Sequence, residues 1–185
     1  VKKTIKSTVI NQKKGVIMAL ITLQGQTIET TGTIPTPGTQ AANFSLVSSD
    51  LKEYILDDFQ DKIKVLNVFP SIDTPVCEKA TRTFIQELSK QNVYLLNISA
   101  DLPFALQRFC QAEELNENQH VLSCFRSTFS QDYHVMMASG PLRGLCARAV
   151  FVLSKNDEIL YTELVSELSH EPNYAQALDT ILNKT

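Results

Sequence analysis

A strand–helix–strand pattern in the middle of the chain limits its possible folds most. Residues 63–69 are almost continuously apolar, as expected for a parallel strand that is buried on both faces. Residues 74–90 carry apolar side chains at helical spacing, and residues 93–100 form a second apolar run. This order predicts two parallel strands joined by a right-handed crossover helix.

Shorter patterns on either side complete a predicted sheet. They are a hairpin at 20–23 and 26–29, a strand at 44–47, a helical segment at 55–59, a helix starting at 101–103, a strand at 121–125, an antiparallel pair at 149–153 and 159–165, and a helix at 171–183. We therefore expect an α/β fold with a mixed central sheet, helices on both faces and an N-terminal β-hairpin. This is the layout of a thioredoxin-like domain.

Composition and charge exclude several classes of protein. A chain of 185 residues with a net charge of −3 is long enough for one hydrophobic core and has no basic surface for nucleic acid. No apolar stretch is long enough to cross a membrane. The four cysteines include no Cys-x-x-Cys pair, and His120, His134 and His170 are scattered. These spacings argue against a disulfide scaffold and against a metal site, and they fit a reducing compartment.

The first 17 residues differ from the rest of the chain. They contain five lysines, and the first methionine is Met18. The apolar run after Lys14 is short and lacks the small-residue cleavage site of a signal peptide. We expect residues 1–17 to be either a disordered arm or an extension upstream of a true start at Met18, and residues 18–185 to form the domain.

Cys77 lies at the predicted start of the helix that follows the first apolar strand. Thr74 is suited to cap this helix, and Pro75 is suited to its first position. Cys77 is then the third helical residue, where backbone N–H groups still lack partners. Those donors and the helix dipole favour a thiolate, which is the nucleophilic form of cysteine. The alternative is a small buried apolar residue, as many cysteines are.

The pattern Pro70-x-x-x-Thr74-x-x-Cys77 resembles the active-site signature of peroxiredoxins. The longer string from Phe69 to Cys77 is similar to the bacterial thiol peroxidase subfamily, of the atypical two-cysteine type. Two more stretches agree, Ser99-Ala100-Asp101-Leu102-Pro103-Phe104-Ala105 with Arg108-Phe109-Cys110, and Gly140-Pro141-Leu142-x-Gly144-Leu145 with Ala147-Arg148-Ala149-Val150. The resemblance spans about residues 18–184, and three ordered motifs make it specific.

The resemblance implies a role for five residues. Cys77 attacks the peroxide, and Cys110 resolves the resulting sulfenic acid as a disulfide. Thr74 bridges the sulfur and the peroxide, Arg148 places a positive charge beside them, and Pro70 shields the sulfur from water. The residues alone also allow other roles. Thr74 can cap the helix, with or without the role at the peroxide, Arg148 can be a surface residue at a strand start, and Pro70 an ordinary loop proline. Cys110 by itself is better interpreted as a buried helical cysteine.

The remaining cysteines, Cys124 and Cys146, match no catalytic position of this pattern. We interpret both as structural, with Cys146 the better candidate for secondary oxidation because it lies near Arg148. Cys77 and Cys110 belong to different predicted helices, and a disulfide needs Cα atoms within about 7 Å. We therefore expect both segments to unwind locally on oxidation.

The predicted function is that of a thiol peroxidase for hydrogen peroxide and organic hydroperoxides, in antioxidant defence. The resemblance implies thioredoxin as reductant, a homodimer, and no haem, flavin or metal cofactor. Thioredoxin dependence favours a cytoplasmic rather than a periplasmic location. One alternative is a thioredoxin-like sensor that forms the disulfide only to switch partners, although a sensor would not need the pair Thr74 and Arg148. General disulfide exchange is weakened by the missing Cys-x-x-Cys.

Overall fold

Ten strands and four α-helices occur in the residues that the structure, a computed structural model, describes, namely 10–13 and 16–184. The strands are β1 (Ile10–Lys13), β2 (Val16–Leu23), β3 (Gln26–Glu29), β4 (Ser45–Ser48), β5 (Glu53–Ile55), β6 (Ile63–Val68), β7 (Val93–Ser99), β8 (Gln119–Ser123), β9 (Ala149–Leu153) and β10 (Ile159–Leu164). The helices are α1 (Pro75–Glu87), α2 (Pro103–Ala112), α3 (Phe129–Asp132) and α4 (Tyr174–Leu182), with a 3₁₀ helix at Leu56–Phe59.

The larger sheet has seven strands in the order β10-β9-β6-β7-β8-β4-β5. Strands β6 and β7 are parallel and are connected through α1, so the predicted crossover is confirmed. Strand β8 continues the parallel part, and β9 runs antiparallel to β6. The sheet is therefore mixed, as predicted. Strand β5, which is only three residues long, was not predicted.

The two faces of this sheet carry separate cores because successive strand residues point to opposite sides. Val65 and Phe69 of the β6 region pack in the core beneath α1, α2 and α4, whereas Leu66 and Val68 pack in the other core. The 3₁₀ helix and α3 contribute Phe59 and Phe129 to this second core. Helical segments thus cover both faces, which confirms the predicted layers.

The predicted N-terminal hairpin is formed by β2 and β3. Its turn residues Gln24 and Gly25 both have positive φ, 50° and 79°, as a tight two-residue hairpin turn requires. Ile21 and Ile28 of the hairpin are buried against Met137 and Leu168. The hairpin is therefore packed onto the segment that follows β10.

The predicted extension, residues 1–17, lies partly outside the described residues, at positions 1–9 and 14–15. Strand β1 falls within it and pairs antiparallel with β2. The boundary between an extension and a domain from residue 18 stays a prediction. Among the described residues, no helix has the length and apolarity to span a bilayer; the longest, α1, has 13 residues.

Candidate active site

The register of three strands places the candidate site. Val68, the last residue of β6, pairs with Ile98 of parallel β7 and with Ala149, the first residue of antiparallel β9. The ends of β6 and β7 and the start of β9 therefore meet at one edge of the sheet. The segments that carry Cys77 and Arg148 adjoin this edge.

Cys77 is the third residue of α1, as the sequence predicted, and it is only 1 % exposed. Thr74 occupies the cap position with extended backbone, and Pro75 begins the helix. The Thr74 side chain, however, makes no capping hydrogen bond; its hydroxyl donates instead to the carbonyl of Ser71 at 3.1 Å. The expected capping role of the hydroxyl is therefore wrong, because the turn that precedes the helix engages it.

Pro70 and Thr74 differ in their exposure to solvent. Pro70 is buried directly after the β6 region, whereas Thr74 is exposed. Both residues thus lie in the loop that connects β6 to the helix of Cys77. Phe69 and Ile72 of the same loop are buried in the core of Cys77 and make its surroundings apolar.

Arg148 directly precedes β9 and is almost fully buried, with 2 % of its surface exposed. Its Nη2 donates to the Sγ of Cys77 at 3.4 Å and to the carbonyl oxygen of Leu168 at 3.0 Å. Its Nε also donates to the Leu168 carbonyl, whereas Nη1 is buried without a partner among the described residues. The interpretation of Arg148 as a surface residue is therefore wrong. The antiparallel pairing of β9 with β6 brings the guanidinium to the sulfur.

Leu168 belongs to a loop that the N-terminal hairpin fixes in place. Glu167 accepts hydrogen bonds from Thr22 Oγ1 at 2.7 Å and from Ser169 Oγ at 2.8 Å. Partial desolvation raises the pKa of Glu167, but the hydrogen bonds from Thr22 and Ser169 outweigh it and lower that pKa to about 2. The Leu168 amide in turn donates to the Thr22 carbonyl at 2.9 Å. The hairpin thus positions the carbonyl that orients Arg148.

Asp101, which sequence analysis did not single out, holds the loop before α1. Its carboxylate accepts hydrogen bonds from Ser71 Oγ, from the Ile72 amide and from Ser99 Oγ, each at 2.7 Å. Asp101 lies two residues after the end of β7 and two residues before the start of α2. One feature of the sequence could have identified Asp101: it is a polar residue at the carboxyl end of a predicted parallel strand, where the loops of neighbouring strands meet. Asp101 therefore joins the segments that carry Cys77 and Cys110.

Cys110 lies in α2 and is half-buried beside the core that contains Cys77. All four cysteines are free thiols, so the structure represents a reduced state. Burial raises the pKa of the Cys110 thiol, and a hydrogen bond with Ser49 opposes this only in part. The structure thus places Cys77 and Cys110 on separate helices, without a bond between them.

Two ion pairs connect α2 to the segment around Cys77. Arg108 of α2 lies 3.0 Å from Asp73, and Arg82 of α1 pairs with Glu113 at the end of α2. A cleft of about 280 Å³ between the two segments is lined in part by these charged groups. Arg82 also pairs with Glu78, so its charge is balanced locally. No group of three or more metal-ligating side chains is present in the described part of the chain.

The chain is similar to known proteins over most of its length. The Redoxin family model matches residues 36–178. The thiol peroxidase of Mycobacterium bovis is 46 % identical over 161 residues, which cover 87 % of this chain and 97 % of that protein. The thiol peroxidase of Corynebacterium glutamicum is 46 % identical over 162 residues, covering 87 % of this chain and 98 % of that protein.

A solved structure gives the same result. The peroxiredoxin-like protein from Aquifex aeolicus superposes with a TM-score of 0.85 at 34 % identity, over 91 % of this chain and 99 % of that chain. Both the sequence relatives and this structure extend over nearly the whole domain. The resemblance inferred from three motifs is therefore confirmed over the fold. The chain belongs to the thiol peroxidase family of the peroxiredoxins.

Proposed function

We propose that this peroxiredoxin-type oxidoreductase reduces hydrogen peroxide and organic hydroperoxides through Cys77, with Cys110 as the resolving thiol and thioredoxin as the reductant. The contact of 3.4 Å between Arg148 Nη2 and Cys77 Sγ is the observation that carries this proposal. Membership of the thiol peroxidase family supports the reaction class.

The burial of Arg148 explains why this contact favours peroxide chemistry. A guanidinium is always charged, and a buried charge is stable only when it is paired. In the described residues, Arg148 makes no ion pair with a carboxylate, and its hydrogen-bond partners are the sulfur of Cys77 and the carbonyl oxygen of Leu168. Of these two groups only Cys77 can carry a negative charge, so its thiolate would be the ion in direct contact with the guanidinium.

In the first step, the Cys77 thiolate attacks one oxygen of the hydroperoxide and the O–O bond breaks. The sulfur becomes a sulfenic acid, and the other oxygen takes up a proton and leaves as water or alcohol. Nη1 of Arg148, which lacks a partner among the described residues, is available to donate to the peroxide oxygens as negative charge develops. The exposed Thr74 hydroxyl would bridge the peroxide from the solvent side, and buried Pro70 would keep water from the sulfur.

In the second step, the Cys110 sulfur attacks the sulfenic acid of Cys77, and water leaves as the disulfide forms. Both cysteines lie within helices, and Cys110 is half-buried with a raised pKa. We therefore expect the start of α1 and the adjoining part of α2 to unwind before the sulfurs meet. Unwinding would also expose Cys110, which removes the burial that keeps its thiol protonated.

Thioredoxin would then reduce the disulfide by thiol exchange and return the enzyme to its resting state. This reductant and a homodimeric assembly are inferred from the family, and a cytoplasmic location follows from the need for reduced thioredoxin. The apolar side chains of Phe69 and Ile72 near Cys77 are compatible with organic hydroperoxides as substrates.

A coupled assay with thioredoxin, thioredoxin reductase and NADPH tests the proposal. We expect continuous NADPH consumption with hydrogen peroxide, which Cys77→Ser abolishes. Cys110→Ser should keep a single fast oxidation of Cys77 but lose turnover with thioredoxin. Cys124→Ala is the matched control, because this cysteine lies on the other face of the sheet, and it should keep turnover.

The same assay separates an enzyme from a sensor. A sensor would consume one equivalent of peroxide and then stop, even with the full reducing system present. Stoichiometric oxidation without turnover in the unmodified protein would therefore overturn the proposal.

A further inference from the structure

A second pair of cysteines lies in the core on the opposite face of the sheet from Cys77. Cys124 directly follows β8, and its amide donates to the Ser99 carbonyl at 2.8 Å. Cys146 forms an isolated bridge with Met136, two positions before Arg148. Although far apart in the sequence, the two Sγ atoms lie 3.6 Å apart.

Either sulfur of this pair can donate the hydrogen bond that joins them. A hydrogen bond from Cys146 lowers the pKa of Cys124, whereas the same bond and complete burial raise the pKa of Cys146. Cys124 is 4 % exposed whereas Cys146 is fully buried, so Cys124 is the sulfur that a peroxide reaches more readily. Each thiol is the other's polar partner in an apolar core that includes Phe129, Tyr133 and Phe151.

The two sulfurs are already in non-bonded contact. The S–S distance of a disulfide is about 2.05 Å, so the two sulfurs need to approach by only about 1.5 Å. By contrast, the helices of Cys77 and Cys110 must unwind before their sulfurs meet.

We propose that Cys124 and Cys146 form a second redox dithiol, which hydroperoxides oxidise to an intramolecular disulfide. The Cys124 sulfur attacks one peroxide oxygen and the O–O bond breaks. The other oxygen leaves as water or alcohol with the proton that the Cys124 thiol gives up, and Cys124 becomes a sulfenic acid. The Cys146 sulfur then displaces the hydroxyl, which leaves as water with the Cys146 proton. Two electrons pass from the two thiols to one peroxide, and no further oxidant is needed.

The new bond would link the end of β8 to the segment that presents Arg148. It would close the chain between Cys124 and Cys146, which contains α3, into a covalent loop, and loop closure stabilises the folded state. Because Cys124 is only 4 % exposed and Cys146 is fully buried, we expect this reaction to be slower than that of Cys77. The Cys124–Cys146 disulfide should therefore accumulate only during prolonged exposure to peroxide.

The test uses a protein in which Cys77→Ser and Cys110→Ser leave only the second pair. The folded protein is treated with hydrogen peroxide, then denatured, alkylated and weighed by mass spectrometry. We expect loss of both alkylatable thiols, a mass lower by two hydrogen atoms, a cross-linked peptide pair containing Cys124 and Cys146, and a higher midpoint of thermal unfolding. Dithiothreitol should reverse each change.

A third substitution, Cys146→Ala, provides the matched control and should give oxygen adducts on Cys124 without a cross-link. The proposal is overturned if both thiols of the folded double variant remain alkylatable, or if Cys124 gains oxygen while Cys146 stays free. The unmodified protein gives an independent measurement: with excess peroxide it should lose all four thiols, whereas two remaining thiols would contradict the proposal. Because the double variant lacks Cys77 and Cys110, its result does not depend on the proposed peroxidase mechanism.

Discussion

Replacement of Arg148 by methionine tests the link between the buried guanidinium and peroxide reduction. Methionine keeps most of the length of the aliphatic stem and removes the charge and all the donors. The lost contacts are those from Nη2 to Cys77 Sγ at 3.4 Å and from Nη2 and Nε to the Leu168 carbonyl at 3.0 and 3.3 Å. The sulfur thereby loses its positive neighbour and, in the proposed mechanism, the leaving oxygen loses a donor.

The expected loss in the rate of Cys77 oxidation is that of removing a hydrogen-bond donor that points at an atom on which negative charge develops. Removal of one such donor slows a reaction by roughly 10²–10³-fold, equivalent to about 2.7–4 kcal/mol in the barrier. The unpaired Leu168 carbonyl should lower the free energy of unfolding by about 1–3 kcal/mol, less than the stability of a typical domain. Arg148→Lys keeps a charge but not two donors in a fixed fork, so we expect an intermediate rate.

The assay is stopped-flow mixing of reduced protein with hydrogen peroxide in a single turnover, followed by quenching and counting of Cys77 thiols. Arg143→Met is the matched control, since its side chain is exposed in the same segment, and it should react within about two-fold of the unmodified protein. A folded Arg148→Met protein that oxidises Cys77 within about three-fold of the normal rate would refute the argument.

Three further predictions concern the residues that hold the site. Asp101→Asn removes the negative charge and replaces one of the two accepting oxygens with an NH₂ donor, so we expect the free energy of unfolding to fall by about 2 kcal/mol, with slower Cys77 oxidation in stopped flow; an unchanged rate would remove Asp101 from the site. Glu167, whose pKa in the folded protein is lowered to about 2, contributes stability above its ordinary pKa that is lost as the pH falls toward 2. Glu167→Gln should therefore lower the unfolding temperature most above pH 5 and least near pH 3; a difference independent of pH would contradict this. Arg108→Ala removes the exposed ion pair with Asp73 and should speed formation of the Cys77–Cys110 disulfide by at most a few-fold, as measured in quenched time courses. Slower formation would contradict the unwinding step.

Exposed residues of the same type supply the controls for these three variants. Asp57→Asn, Glu87→Gln and Arg143→Ala alter side chains that lie on the surface. We expect each to change stability by less than about 0.5 kcal/mol and to leave the rates unchanged.

The predicted elements that proved correct were those with a strong local signal. The strand β6, the crossover helix and the hairpin at Gln24-Gly25 depend on apolar periodicity and on turn residues, both of which are local properties. The position of Cys77 within α1 was predictable for the same reason, since Thr74 and Pro75 mark the helix start. The Thr74 hydroxyl was predicted incorrectly because its acceptor, the Ser71 carbonyl, depends on the loop conformation.

The sequence by itself determined the family, the fold class and the candidate nucleophile, because these depend on short motifs and on residue spacing. Only the tertiary structure decided that Arg148 is buried against Cys77, that Asp101 and Glu167 hold the loops around them, and that Cys124 faces Cys146. These contacts join segments that are distant in the chain, and their geometry is set by strand register and by packing. No local pattern encodes which distant side chain a given strand register brings near.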